Sequence, residues 1–248
     1  MPTNTMPAKT MPANTVPAKT SKPSRNRKHE VFMVEDHPIT REVLAQLINY
    51  QDDLHVCGVA GTAAKALWGI ESQRPDLVMV DVSLPDGHGI ELVKDIKARY
   101  PQLRVLVLSM HDEALYAERA IRAGAAGYIM KQEPTDTVLA AARQVLTGKP
   151  YLSPKLQERV LQRFASGLAT PVTSEVERLT DRELEIFELI GRGRGTREIA
   201  EQLRLSVSTV ETHRAHLKEK LELESATELV RHAVQWVGSR EKRTASEA

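Results

Sequence analysis

Glu35-Asp36, Asp81, Ser109 and Lys131 each close a short apolar run. The runs before them, Glu30–Val34, Leu77–Val80, Arg104–Leu108 and Gly127–Met130, have too few polar residues for strands with one wet face. They read as strands buried on both faces, the pattern of a parallel sheet. In such a sheet the carboxyl ends share one edge, where open α/β folds keep their ligands. Three carboxylates gathered there repel one another, and their pKa values rise unless a cation joins them. Hard oxygens suit Mg2+, which is held by few carboxylates and keeps several waters. Lys131 can neutralise a phosphoryl oxygen, Ser109 can donate to another, and Asp81 can act as a carboxylate nucleophile towards phosphorus. No G-x-G-x-x-G follows the first strand, which argues against dinucleotide binding.

The elements that must position these groups follow a βα rhythm. Strands are expected at Glu30–Val34, His55–Ala60, Leu77–Asp81, Arg104–Ser109 and Gly127–Lys131. Helices are expected at Thr40–Tyr50, Ala63–Ser72, Ile90–Tyr100, Glu113–Ala123 and Thr135–Thr147. Val43, Leu44, Leu47 and Ile48 mark the apolar face of the first helix. Pro75 and Pro101 follow two helix ends, and Gly124 and Gly148 stop two more. Five alternating pairs predict a doubly wound α/β fold with a parallel five-stranded sheet.

Val34-Glu35-Asp36-His37-Pro38, Asp81 with Leu84-Pro85 and Gly89, Ser109, and Tyr128 ahead of Lys131 together resemble the receiver domain of two-component response regulators. The resemblance spans about residues 29–148. It implies a flavodoxin-like sheet of strand order 2-1-3-4-5. It also implies that Asp81 accepts phosphate from a sensor histidine kinase. Asp36, Asp81 and the backbone carbonyl of Ser83 would bind Mg2+, Glu35 would act through water, and Ser109 and Tyr128 would form a switch pair. Glu35 stands where Asp is commoner, and Gln132 where many relatives have Pro or Asp.

Beyond residue 148, Ser153-Pro154 is a sound helix start, an N-cap followed by Pro at the first helical position. Leu156, Val160, Leu161 and Phe164 form one stripe that should pack on a neighbour. Ser166–Ser174 reads as a linker. Thr180 and Glu183 then form a capping box, with Leu184, Ile186, Phe187 and Ile190 as the buried side of a helix that Gly191–Gly195 ends. Helices follow at Thr196–Leu203, from Ser206 to about Leu221, and at Ser225–Val237. The tight turn Arg204-Leu205-Ser206 makes the middle pair a helix-turn-helix. Val210, His213, Leu217 and Leu221 give its second helix an inward stripe. Ser208, Glu211, Thr212, Arg214, Ala215 and Lys218 then point outward, small or polar groups able to meet bases and phosphates. Thr209, at the helix start, should reach a phosphate.

Leu179-Thr180-x-Arg182-Glu183, Glu198-Ile199-Ala200 and Ser208-Thr209-Val210-Glu211-Thr212-His213-Arg214 resemble the four-helix DNA-binding domain of the LuxR/FixJ type, over about residues 176–238. A receiver joined to this domain is the NarL/FixJ class. The resemblance implies a phosphorylation-switched regulator that dimerises on double-stranded DNA and frees its recognition helix from the receiver. Many relatives carry Lys where this chain has Glu211, whose carboxylate prefers a cytosine amino group. An enzyme using an aspartyl-phosphate, a phosphotransferase or phosphatase, would share the carboxylate chemistry. The helix-turn-helix, and the lack of a second acid or base on the sheet edge, argue against it. A receiver that works unphosphorylated, as a binding module, is the third reading.

The hydrophobic fraction of 41% supports cores that are aliphatic, because aromatics are only 4%. The one cysteine, Cys57, excludes an internal disulfide and fits a reducing cytoplasm. No apolar run approaches the ~18 residues of a membrane span. The net charge of +1 is uneven: residues 29–148 carry 11 basic and 17 acidic residues, and 173–240 carry 11 and 13. Any nucleic-acid surface must therefore concentrate its positive charge locally. The expected layout is a disordered basic tail at 1–28, the receiver at 29–148, a linker at 149–175 with a helix at about 154–165, the helix-turn-helix domain at 176–238 and a disordered C-terminus at 239–248.

The tail opens MPTNT, MPAKT, MPANT, VPAKT and holds six Lys/Arg and no acid. A repeat without an apolar stripe has nothing to bury. Deleting residues 1–28 should leave the melting temperature within about 1 °C, because no cap, cavity or network is lost. A large fall in a thermal scan would show that the tail docks.

Overall fold

The structure, a computed structural model, describes residues 27–111, 113–165 and 175–246. The repeat tail to residue 26 and the linker Ser166–Ser174 lie outside the described residues. The first unit alternates β1 (His29–Val34), α1 (Pro38–Asn49), β2 (Leu54–Ala60), α2 (Ala63–Gln73), β3 (Leu77–Asp81), a two-residue hairpin β4 (Ser83–Leu84) and β5 (Gly87–His88), α3 (Gly89–Arg99), β6 (Arg104–Ser109), α4 (Glu113–Arg122), β7 (Gly127–Met130) and α5 (Thr135–Leu146). The main sheet is parallel with order β2-β1-β3-β6-β7, the doubly wound flavodoxin-like arrangement expected. The β4–β5 hairpin is a structural addition, formed where Pro85-Asp86 turns the chain after β3.

Alternation along the strands splits the core in two. Val31, Met33, Leu77, Met79, Leu106, Leu108 and Ile129 face one layer with α5 and Ile48 of α1. Phe32, Val34, Val78, Val80, Val105, Val107 and Tyr128 face the other, with α2, α3 and α4. Both faces are covered, so the strands can be apolar throughout. Two expectations need correction. Helix α1 starts at Pro38, whose fixed φ suits a first turn. Its Val43 is 48% exposed, because the narrow stripe through Ile48 is enough to seat the helix on the sheet edge.

α6 (Pro154–Ala165) carries Leu156 buried, while Leu161 is exposed. A 3-10 turn, Glu175–Arg178, leads to α7 (Asp181–Gly191), α8 (Thr196–Gln202), α9 (Val207–Lys220) and α10 (Ala226–Ser246). The capping box is formed: Glu183 N donates to Thr180 Oγ1 and Thr180 N to Glu183 Oε2. Leu184, Phe187, Ile190, Ile199, Val210, Leu217, Leu229 and Ala233 close the small helical core. α10 runs on to Ser246, past the expected end at Val237 and through most of the segment expected to be disordered. No described residue after Val237 takes a left-handed exit, and Arg240 stacks over Trp236 at 4.9 Å, so the helix continues past that point.

The hairpin and α3 meet at Gly89, whose N–H donates to Val82 O. A Cβ at Gly89 would run into the backbone carbonyl of Asp81. Gly89→Ala should therefore lower the unfolding free energy by about 1–3 kcal/mol, the usual cost of overpacking a rigid contact. Urea denaturation of the two chains measures it. An unchanged midpoint would mean that α3 shifts at no cost.

Candidate functional site

The register sets the strand ends side by side: Val34 pairs Val80, Asp81 pairs Leu108, and Lys131 N donates to Ser109 O at 2.8 Å. The structure thus brings Glu35, Asp36, Asp81, Ser109 and Lys131 to one edge, as the strand ends predict. Lys131 Nζ lies 2.6 Å from Glu35 Oε2 and 2.8 Å from Asp81 Oδ2. Glu35 Oε1 accepts from His37 N, and Asp36 Oδ1 lies 2.7 Å from His37 Nδ1. Asp36 Oδ2 lies 2.6 Å from the guanidinium of Arg204, which belongs to the turn between α8 and α9. Among the described residues, Asp81 Oδ1 takes one long bond, from Ser83 N at 3.4 Å.

Burial pushes the Asp81 carboxyl up to about 6; Lys131 opposes the shift and Glu35 adds to it. Donor atoms from Glu35, Asp36, His37 and Asp81 all lie within 4.8 Å of one another. Three hard carboxylates at that spacing fit Mg2+. A second cluster, Glu183, His213 and His216, has the same spacing. Lys220 Nζ already sits 2.7 Å from Glu183 Oε2 there, so a dication would face an ammonium ion.

Ser109 is fully buried, its Oγ accepting from His111 N at 2.9 Å. Tyr128 is buried too, and its hydroxyl donates to His111 O at 2.9 Å. The side chain of Ser83 is engaged: its Oγ donates to Glu185 Oε1 and lies 2.9 Å from His111 Nε2. Glu185 is on α7, in the C-terminal unit, and is wholly buried. His111 Nε2 lies 3.1 Å and Arg182 Nη1 2.7 Å from it. Arg182 also donates to the carbonyls of Leu84 and Gly87. Burial works against the Glu185 charge, but its bond to His111 and the charges around it hold the carboxyl far below its usual range. Burial disfavours the charged His111 ring, yet Glu185 outweighs this and raises its pKa. Arg119 on α4 completes the contact, 2.9 Å from Asp181 Oδ1 and donating to Leu179 O.

Sequence reasoning did not find His111, Glu185, Arg182 or Arg204. His111 stands two residues past the end of β6, so the strand-end argument could have reached it. Nothing local marks the other three, because their partners in the receiver lie about 70 or more residues away along the chain.

The outward face of α9 is largely as expected. Ser208, Glu211, Thr212 and Ala215 are exposed, and Thr209, Arg214 and Lys218 are half-buried. Ser206 caps the helix, its Oγ accepting from Thr209 N, and Val210 and Leu217 are buried while His213 is only partly so. One expectation is corrected: the receiver does not cover the recognition face. It grips α7 and the turn before α9, because the charged partners there, not the bases' side of α9, complement its edge.

The sequence profile described as response regulator receiver domain matches residues 31–143, and that described as bacterial regulatory proteins, luxR family, matches 177–233. The oxygen regulatory protein NreC of Staphylococcus carnosus (strain TM300) is 34% identical over 209 residues, 83% of this chain and 96% of that protein. NreC of Staphylococcus aureus (strain JH9) is 35% identical over the same length. A LuxR-family two-component response regulator from Aurantimonas sp. SI85-9A1 superposes with a TM-score of 0.53 at 29% identity, covering 56% of this chain and 99% of its own. RcsB of Salmonella enterica serovar Typhimurium, bound to the promoter rprA with the phosphomimetic BeF3-, shares the fold at 23% identity and a TM-score of 0.54, covering 84% and 99%. The chain therefore belongs to the response regulators of two-component systems that join a receiver domain to a LuxR-family DNA-binding domain, a family of DNA-binding transcription regulators and not of enzymes.

Proposed function

We propose that Asp81 is the phosphoacceptor of this receiver and that its phosphorylation by a sensor histidine kinase changes how the helix-turn-helix domain meets DNA. The observation that carries the reading is the convergence of Glu35, Asp36, Asp81 and Lys131 on one sheet edge. Asp81 Oδ1 is the attacking oxygen, since Lys131 holds Oδ2. It forms a P–O bond as the P–N bond of a phosphohistidine breaks, and the imidazole of the kinase leaves. Lys131 would neutralise a phosphoryl oxygen, and Ser109 Oγ, while still accepting from His111 N, can donate its own hydrogen to another. Glu35, Asp36, Asp81 and the carbonyl of Ser83 would hold Mg2+, which when bound neutralises the charge of the transferring group.

The recorded promoter complex of RcsB supports double-stranded DNA as the second partner. Glu211, Thr212 and Ala215 would meet base edges, and Ser208, Thr209, Arg214 and Lys218 phosphates or groove walls, a reading supported by the exposure of that face of α9. Because α9 is exposed while its domain is docked, the switch need not uncover the helix and acts instead on how the domain is held and on the arrangement of two copies. In this reading a homodimer takes two half-sites about a helical turn apart, or a multiple of it, the usual geometry of helix-turn-helix dimers. Among the described residues no helix is long and apolar enough to cross a membrane.

Asp81→Asn should abolish Mg2+-dependent labelling by acetyl phosphate while leaving the thermal transition in place. Labelling that persists in this variant moves the acceptor to Glu35 or Asp36 and overturns the assignment.

Two substitutions separate the roles on α9. Lys218→Ala should weaken binding to all sequences alike and lower the salt slope by about one unit. Thr212→Ala should cost about 1–3 kcal/mol on the preferred site and relax choice at particular base pairs. A binding-site selection on both variants checks this. The reverse pattern would mean that the outward face is rotated.

A further inference from the structure

The contact between Arg204 and Asp36 is unlike the others across the interface. Among the described residues, the other charged and polar contacts tie α7 to the hairpin, His111, α3 and α4, and none of them engages a carboxylate of the acidic pocket. Arg204 reaches past them and places its guanidinium 2.6 Å from a carboxylate oxygen that the phosphoacceptor reading assigns to Mg2+. It does so from a strained backbone. Arg204 has φ of 52°, the left-handed region that a side chain avoids and glycine enters without cost. It stands two residues before Ser206, the cap of the recognition helix. Asp36 is 6% exposed and Arg204 45%, so the carboxylate is held in the pocket and the arginine can withdraw to water.

Formal charge shows the consequence. Glu35, Asp36 and Asp81 against Lys131 and Arg204 leave the pocket one charge short of neutral. Adding a dication on top of both cations makes the pocket positive. Adding it while Arg204 leaves makes it neutral. A guanidinium and a dication sharing one carboxylate also repel each other at short range.

We infer that Arg204 is a built-in counter-ion which competes with Mg2+ for Asp36, so that loading the receiver with its metal loosens the docked helix-turn-helix domain. This rests on the proposed role of the acidic pocket and adds its regulation from the DNA-binding domain. Because coupling between two sites is reciprocal, docking weakens Mg2+ binding by the factor with which Mg2+ weakens docking. The metal-free chain is thereby held closed, and a loaded, phosphorylatable chain begins with its recognition-helix turn released.

The experiment titrates full-length protein with MgCl2 by calorimetry and follows the radius of gyration by small-angle scattering. Arg204→Ala should bind Mg2+ about three- to tenfold more tightly than the parent, the range expected from losing one half-exposed ion pair. Arg204→Lys keeps the charge and should stay within about twofold of the parent, which a purely structural role of the turn would not produce. Mg2+ should expand the parent chain and have less effect on Arg204→Ala. Equal Mg2+ affinity in parent and Arg204→Ala, with binding lost in Asp81→Asn, overturns the competition and leaves the phosphoacceptor reading standing. Binding of Mg2+ that is absent from the parent and from Arg204→Ala alike overturns the acidic pocket as a metal site, and the competition with it. Arg119→Ala, which loosens docking without touching the pocket, separates the last alternative. Tightening there but not in Arg204→Ala would assign the coupling to docking as a whole and refute the role of Arg204.

Discussion

Charge compensation at the carboxyl edge of the sheet is the constraint on which the rest depends. Glu35 and Asp81 are almost wholly buried, and Asp36 is nearly so. Bare carboxylates in such a place would shift their pKa values and neutralise. Lys131, at the end of β7, bridges two of them, and Arg204 from the other domain meets the third. The sheet topology exists to deliver these groups together. The parallel register that aligns Val34, Val80 and Val107 also fixes which carboxylates share which cation.

The same logic shapes the interface. Helix α7 is buried on both sides. Leu184, Phe187 and Ile190 pack in the helical core, while Asp181, Glu185 and Glu188 are buried against the receiver with cationic or hydrogen-bonding partners: Arg119, His111, Arg182, Arg192 and the hydroxyl of Tyr116. Removing one member of a buried pair typically costs about 3–5 kcal/mol, because the other charge is stranded. The acids of α7 therefore specify one docked arrangement more strongly than an apolar face of equal area, which could slide. Domain interfaces within a chain are modest in size, and so one that depends on a few charges is open to being switched by changing a charge.

His111 joins the two systems. Its N–H bonds Ser109, its carbonyl receives Tyr128, and its ring meets Ser83 and Glu185. Any movement that draws Ser109 towards a phosphoryl oxygen must shift the backbone of His111, and its ring lies against the buried acid of α7. The path from phosphoacceptor edge to DNA-binding domain is thus two hydrogen bonds long. Chains of packed, hydrogen-bonded groups with two discrete arrangements are what carry coupling between sites.

The alternation of strands and helices, the carboxyl-edge cluster, the capping box of Thr180 and Glu183 and the inward stripe of Val210 and Leu217 were all legible in the sequence, whereas the strand order came only from the resemblance to receivers. They depend on period, on local caps and on the rule that parallel strands end together, all of which act over a few residues. The hairpin after β3, the burial of Glu185 and the reach of Arg204 to Asp36 were not. A helix of mixed acids and apolar residues reads as half-solvated, and Glu185 looks like its wet face until another domain supplies His111, Ser83 and Arg182. Likewise the Arg204 turn announces a helix-turn-helix and nothing more, because its partner is 168 positions earlier. The sequence by itself determined which chemistry gathers on the sheet edge, since that follows from local pattern. Only the tertiary structure decided which cations complete it, since a Coulomb interaction depends on distance in space and not on separation along the chain.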